Sequence, residues 1–146
     1  MNAEPASRAG QGETVLIVDD EPTVRMLVRE VLEELGYHAV EAVDGAAALL
    51  VLQSDIRLDL LVTDVGLPGG MNGRQIADAG RALRPGLQAL FITGYAEGAA
   101  LGQGQLEPWM HILHKPFEVE ALASKVQQII RQAEKPKPAA SFARGA

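Results

Sequence analysis

Five short apolar runs, each followed by a stretch with helical character, constrain this chain more than any other feature of it. The first run, Val15, Leu16, Ile17 and Val18, is rich in β-branched residues and stops at Asp19 and Asp20. A run of that length and composition reads as a buried strand. Pro22 suits a first helical turn. Val24, Leu27, Val28, Val31, Leu32 and Leu35 then fall on one helical face, and Gly36 stops the helix. Residues 37–43 read as a second strand. Asp44 is placed to cap a helix over 45–53. Residues 59–63 form a third strand that again ends on an aspartate, Asp64. The loop GLPGGMNG at 66–73 leads into a helix over 73–84, with Ile76, Ala77 and Leu83 inward and Pro85-Gly86 as its stop. Residues 89–93 are the fourth strand and 109–113 the fifth. Between them, 97–106 is a helix weakened by Gly98, Gly102 and Gly104. Pro116 opens the last helix, with Val119, Leu122, Val126, Ile129 and Ile130 on one face.

Strands separated by helices require parallel pairing and right-handed crossovers. The runs lack polar alternation, as they must when helices cover both faces of a sheet. The pattern therefore predicts one three-layer α/β/α domain with a five-stranded parallel sheet. With 146 residues the chain suffices for one such domain. The folded part is expected over 14–132, with residues 1–13 and 133–146 too small and polar to order themselves.

Composition removes several functions. There is no cysteine, so disulfide frameworks, thiolate metal sites and thiol catalysis are excluded. The longest unbroken apolar run, 46–52, has seven residues, far short of a membrane span. The first thirteen residues lack the apolar core of a secretory signal, so a cytoplasmic location is expected. The formal net charge is −6, and the local basic clusters are Arg81/Arg84 and Lys135/Lys137. Nucleic acid is thus not an expected partner.

In open parallel sheets, ligands sit at the carboxyl ends of the strands. Asp19 and Asp20 end the first strand, Asp64 the third and Thr93 the fourth, with Gly94 behind it. His114, Lys115 and Pro116 follow the fifth. Three carboxylates in one place repel one another unless a cation joins them. Hard oxygen donors suit Mg²⁺, or Mn²⁺, better than zinc. Such an ion beside a carboxylate, a lysine and a hydroxyl makes a phosphoryl site, in which the carboxylate can attack phosphorus and form an acyl phosphate. Asp64 is the best nucleophile, standing alone on a central strand between the Asp19/Asp20 pair and Lys115. Gly94 leaves room for the incoming group.

The segments VLIVDDEP at 15–22, LLVTDVGLP at 60–68, FITGYA at 91–96 and HKPF at 114–117 together resemble the receiver domains of two-component response regulators. Within that family the chain is most similar to receivers of hybrid histidine kinases or to single-domain regulators. The resemblance implies the flavodoxin-like strand order 2-1-3-4-5. It implies that Asp64 is the phosphoacceptor, that Asp20 binds Mg²⁺ directly and Asp19 mostly through water, and that the Gly66 carbonyl is a further ligand. It implies that Thr93 is the switch hydroxyl, that Lys115 contacts the phosphoryl group, and that the bond to Pro116 is cis. It also implies a histidine kinase or histidine phosphotransfer protein as donor and a downstream protein as reader.

Two positions depart from the family pattern. The loop between Pro68 and Gly73 has one residue more than the commonest form. The position three before Lys115, usually aromatic, is Ile112. Tyr95, two past Thr93, stands where the family tunes dephosphorylation or where it gates access. About 14 residues follow the last helix, so output is expected in another protein or in onward transfer of phosphate.

Blander readings compete at each position. Asp19 or Asp20 can cap a helix, Asp64 a turn, and Lys115 can be a solvated lysine. His38, His111 and His114 have no metal spacing, and Met26, Met71, Met110 and Trp109 read as packing residues. The alternative function is a small Mg²⁺-dependent phosphohydrolase of α/β fold. The phosphate loop G-x-x-x-x-G-K-[ST], the G-x-G-x-x-G turn and a DxD nucleophile motif are all absent from the sequence. A flavin site would need a hydroxyl-rich loop where this chain has Asp19-Asp20-Glu21-Pro22.

Overall fold

The computed structural model describes residues 12–67, 70–94 and 106–134. The chain runs β1 (Thr14–Val18), α1 (Pro22–Glu34), β2 (His38–Ala42), α2 (Gly45–Gln53), β3 (Leu60–Asp64), α3 (Gly73–Leu83), β4 (Gln88–Thr93), β5 (Met110–His114) and α4 (Val119–Glu134). The five strands form one sheet in the order β2-β1-β3-β4-β5. Every pairing is parallel. This is the flavodoxin-like order that the resemblance implies. The expected helix over 97–106 falls mostly outside the described residues, as do Tyr95 and most of both terminal segments.

The parallel sheet explains why the apolar runs are unbroken. Along β1, Val15 and Ile17 join the core under α1 and α4, while Leu16 and Val18 join the core under α2 and α3. In β3, Leu60 and Val62 face the first core and Leu61 the second. Leu90 and Ile92 against Ala89 and Phe91 repeat this in β4. Both faces are therefore apolar, and each fully buried leucine or isoleucine contributes about 1.5–3 kcal/mol.

Local signals set the helix ends. Pro22 stands at the start of α1, as expected. The Asp44 carboxylate accepts from the Ala47 amide at 2.9 Å and caps α2. At α3 the Asn72 side chain accepts from the Gln75 amide, and the Gln75 side chain accepts from the Asn72 amide, both at 2.9 Å. That reciprocal box fixes where the loop after β3 ends.

Four expected packing positions are corrected. Leu83 is 48% exposed rather than inward. The buried stripe of α3 runs Gly73, Ile76, Ala77 and Gly80, and its continuation is Arg84, not Leu83. Leu27 is exposed because the stripe of α1 narrows to Val28, Val31 and Leu32, with Val24 and Leu35 at its ends. Met26 is more than half exposed, on the side of α1 away from that stripe, and is not a packing residue. Val119 is exposed because it lies a turn ahead of Leu122, and Phe117 packs on the core there instead. Relatedly, α4 begins at Val119, three residues beyond Pro116, and the Glu118 carbonyl closes its first turn by accepting from Ala121 and Leu122.

Candidate functional site: an acidic pocket at the carboxyl edge of the sheet

The register brings the strand ends together. β3 lies between β1 and β4, so Asp64 stands between the Asp19-Asp20 turn and Thr93. β5 adds Lys115 from the far side, its amide bonded to the Thr93 carbonyl at 2.9 Å. Carboxylate oxygens of Asp19, Asp20 and Asp64 lie within 4.8 Å of one another. Asp19 and Asp64 are buried and Asp20 is exposed, so the cluster opens to solvent on one side.

Each group is held by a named neighbour. The Asp64 carboxylate accepts from the Gly66 amide at 3.0 Å through Oδ1. Its Oδ2 meets Lys115 Nζ at 3.3 Å. The Asp19 carboxylate accepts from the Glu21 amide at 2.9 Å. Thr93 is fully buried, and its hydroxyl donates to the Gly94 carbonyl at 3.0 Å. Behind Asp64, α3 approaches closely. The Gly73 amide donates to the Val65 carbonyl at 2.8 Å. A Cβ on Gly73 would stand 2.4 Å from the Asp64 carbonyl oxygen, closer than any side chain permits.

The pocket is short of positive charge. Burial pushes the Asp19 carboxyl up to about 6, and the neighbouring charges of Asp64 and Asp20 add to the rise. The Glu21 amide and Lys115 oppose it without cancelling it. Three hard-oxygen donors with an uncompensated charge fit a divalent cation of the Mg²⁺ kind. This donor set is the acidic triad typical of a receiver Mg²⁺ site.

The site residues read from the sequence converge, with two exceptions. Tyr95 lies outside the described residues. Ile112 pairs with Phe91 in register and packs half-buried in the core under α2 and α3. It is thus a packing residue two positions away from the pocket edge. The Lys115–Pro116 bond is cis, as the resemblance implies. Sequence reading missed Arg25. Its Nη1 donates to the Asp19 carbonyl at 2.8 Å, and its Nε meets the Glu41 carboxylate of β2 at 3.0 Å. No local signal marked it, because Arg25 and Arg29 converge on Glu41 only in the folded structure.

Comparison with known proteins agrees with this geometry. Residues 15–127 match the family model of the response regulator receiver domain. The chain is 33% identical over 121 residues to the chemotaxis protein CheY of Pseudomonas aeruginosa, spanning 81% of this chain and 96% of that protein. It is 32% identical over 130 residues to the sensor kinase CckA of Brucella abortus, spanning 88% of this chain but only 14% of that kinase. Among solved structures, the response regulator receiver protein from Sinorhizobium medicae superposes with a TM-score of 0.75 at 28% identity, covering 85% of this chain and 98% of that one. The chain belongs to the response regulator receiver family. Its relatives are of both expected kinds, short regulators and sensor kinases. It is a phosphoacceptor module of two-component signalling rather than a classical enzyme. Such a module implies a cognate histidine kinase or phosphotransferase. Among the described residues, no helix is long and apolar enough to cross a membrane.

Proposed function

We propose that Asp64 is the residue of this receiver that takes the phosphoryl group, within a domain spanning 14–132. The observation that carries the assignment is its position. Of the three clustered carboxylates, Asp64 is the one that Lys115 Nζ approaches, at 3.3 Å. One Asp64 oxygen forms a bond to phosphorus as the bond from phosphorus to the donor's imidazole nitrogen breaks, giving an acyl phosphate and a free imidazole. Lys115 offsets charge on the phosphoryl oxygens, and the Thr93 hydroxyl turns from the Gly94 carbonyl to donate to one of them. Gly94 leaves space for that group. Asp19, Asp20, Asp64 and the Gly66 carbonyl hold Mg²⁺ or Mn²⁺. When bound, the ion supplies positive charge against the same oxygens. Tyr95 and Pro116 modulate the site directly, and Ile112 modulates it through its packing beside Phe91. A histidine kinase or histidine phosphotransfer protein in the cytoplasm is the donor, and a downstream protein reads the surface around Thr93 and β5.

The test is intact mass after incubation with acetyl phosphate and Mg²⁺. The wild type gains one phosphoryl group, and Asp64→Asn or added EDTA prevents it. Gain by both proteins would move the acceptor elsewhere and overturn the assignment.

A further inference from the structure

We propose that Arg25 is a positioning residue for the acidic pocket, acting on the main chain of Asp19 and not on any carboxylate of the pocket. The assignment rests on the reading that Asp19, Asp20 and Asp64 hold a divalent cation. Asp19 and Asp20 occupy the turn between β1 and α1, which among the described residues has no main-chain bond to a neighbouring strand beyond that of the Asp19 amide. Among the described residues, three hydrogen bonds fix Asp19. Its amide donates to the Ala42 carbonyl at 3.3 Å, and its carboxylate accepts from the Glu21 amide at 2.9 Å. Its carbonyl accepts from Arg25 Nη1 at 2.8 Å, the shortest of the three and the only one from a charged donor. Charge-assisted bonds of this kind are the strong ones.

The guanidinium is itself aimed. Its Nε meets Glu41 Oε1 at 3.0 Å, and Arg29 Nη1 holds the other Glu41 oxygen at 2.8 Å. The Arg25 side chain is 15% exposed, against 42% for Arg29, so its bonds are the shielded part of this chain of charges. A planar fork is required, because Arg25 must reach a main-chain carbonyl on one side and a carboxylate on the other. A lysine offers a single ammonium for both. Arg25 thus joins the end of β2, the start of α1 and the Asp19-Asp20 turn into one unit. Partners that orient metal ligands from behind commonly change affinity by about 10–100-fold when removed.

A purely structural tie would lower stability without touching metal affinity. Arg84 provides that comparison. Its guanidinium donates to the carbonyls of Leu52, Ser54 and Ile56 at 3.0, 2.6 and 2.7 Å, at the opposite edge of the sheet. The experiment is calorimetric titration of the full chain with Mg²⁺ alone, with folding checked by circular dichroism. The wild type binds, Arg25→Met weakens the affinity about 10-fold, and Arg25→Lys falls between. Glu41→Gln weakens it less, and Arg84→Met matches the wild type although its Tm falls. Folded Arg25→Met with wild-type affinity would overturn the assignment alone. A wild type that binds no Mg²⁺ would overturn the metal reading and the assignment with it. Should Arg25→Met not fold, wild-type affinity in Arg25→Lys overturns the assignment.

Discussion

Two aspartates bracket β3, and their surroundings differ in kind. Asp59, just before the strand, has a full set of donors. The Thr14 amide meets it at 2.9 Å, and Arg57 reaches it through Nε at 3.0 Å and through a second nitrogen at 3.2 Å. Asp64, at the other end, has the Gly66 amide and Lys115 but shares its space with two more carboxylates. One carboxylate closes the amino edge of the sheet. The other belongs to a cluster left with surplus negative charge. The residue type is the same, so the difference lies in what the neighbouring strands bring to each edge. Function resides where donors are in deficit.

The sharpest way to break this comparison is to exchange the roles. Asp64→Asn abolishes acceptance of phosphate from acetyl phosphate, whereas Asp59→Asn keeps it and lowers the urea midpoint. Phosphate uptake by Asp64→Asn at the wild-type rate would end the distinction. Close contact behind Asp64 gives the next largest effect. Gly73→Ala forces α3 away from the Asp64 carbonyl and destabilises by about 2–3 kcal/mol, as overpacking does. Gly86→Ala, with open space around it, is nearly neutral by comparison. Equal urea midpoints for the two variants would show that the approach of α3 is not tight.

Charge deficit has its own pH dependence. The folded-state pKa of Asp19 lies near 6, above the ordinary value of 3.8. The folded protein therefore holds this proton longer than the unfolded chain does. Its burial costs nothing below pH ~4, and the penalty grows as pH rises to ~6 and stays beyond it. Asp19→Asn removes that penalty. Without metal, it stabilises the protein by about 2 kcal/mol at pH 7 and hardly at all at pH 4. A stabilisation independent of pH would refute the charge deficit. The smallest effect belongs to the satisfied edge. Arg57→Met breaks a half-exposed pair with Asp59 and costs less than about 1 kcal/mol in the same urea titration.

Much of this was legible in the sequence because it is local. The Asp44 cap, Pro22 at the first turn of α1 and the strand ends just before Asp19 and at Asp64 each depend on a few adjacent residues. The Asn72–Gln75 box was equally local but hidden by the glycines around it. What could not be read depends on distant partners. Leu83 seemed inward because it is apolar. The inward position belongs to Arg84, whose carbonyl acceptors lie about 30 residues earlier in the chain. Arg25 could not be singled out, because Glu41 enters its reach only once β2 has paired with β1. Hydropathy ranks single residues, whereas a guanidinium is placed by carbonyls and carboxylates that the topology delivers.

The burial of Asp19 and Asp64 has a consequence for the pocket's response to ordinary salt. Mobile ions screen charges across about 8 Å at physiological ionic strength, but only where they have access. The Arg29–Glu33 pair, with side chains 42% and 51% exposed, lies in that screened layer. Asp19 and Asp64, 2% and 7% exposed, lie beneath it. Raising potassium chloride therefore quiets the electrostatics of the helix surface more than the repulsion between Asp19 and Asp64. On the proposed reading, these two buried carboxylates find their counter-charge in a bound divalent ion and not in the monovalent background.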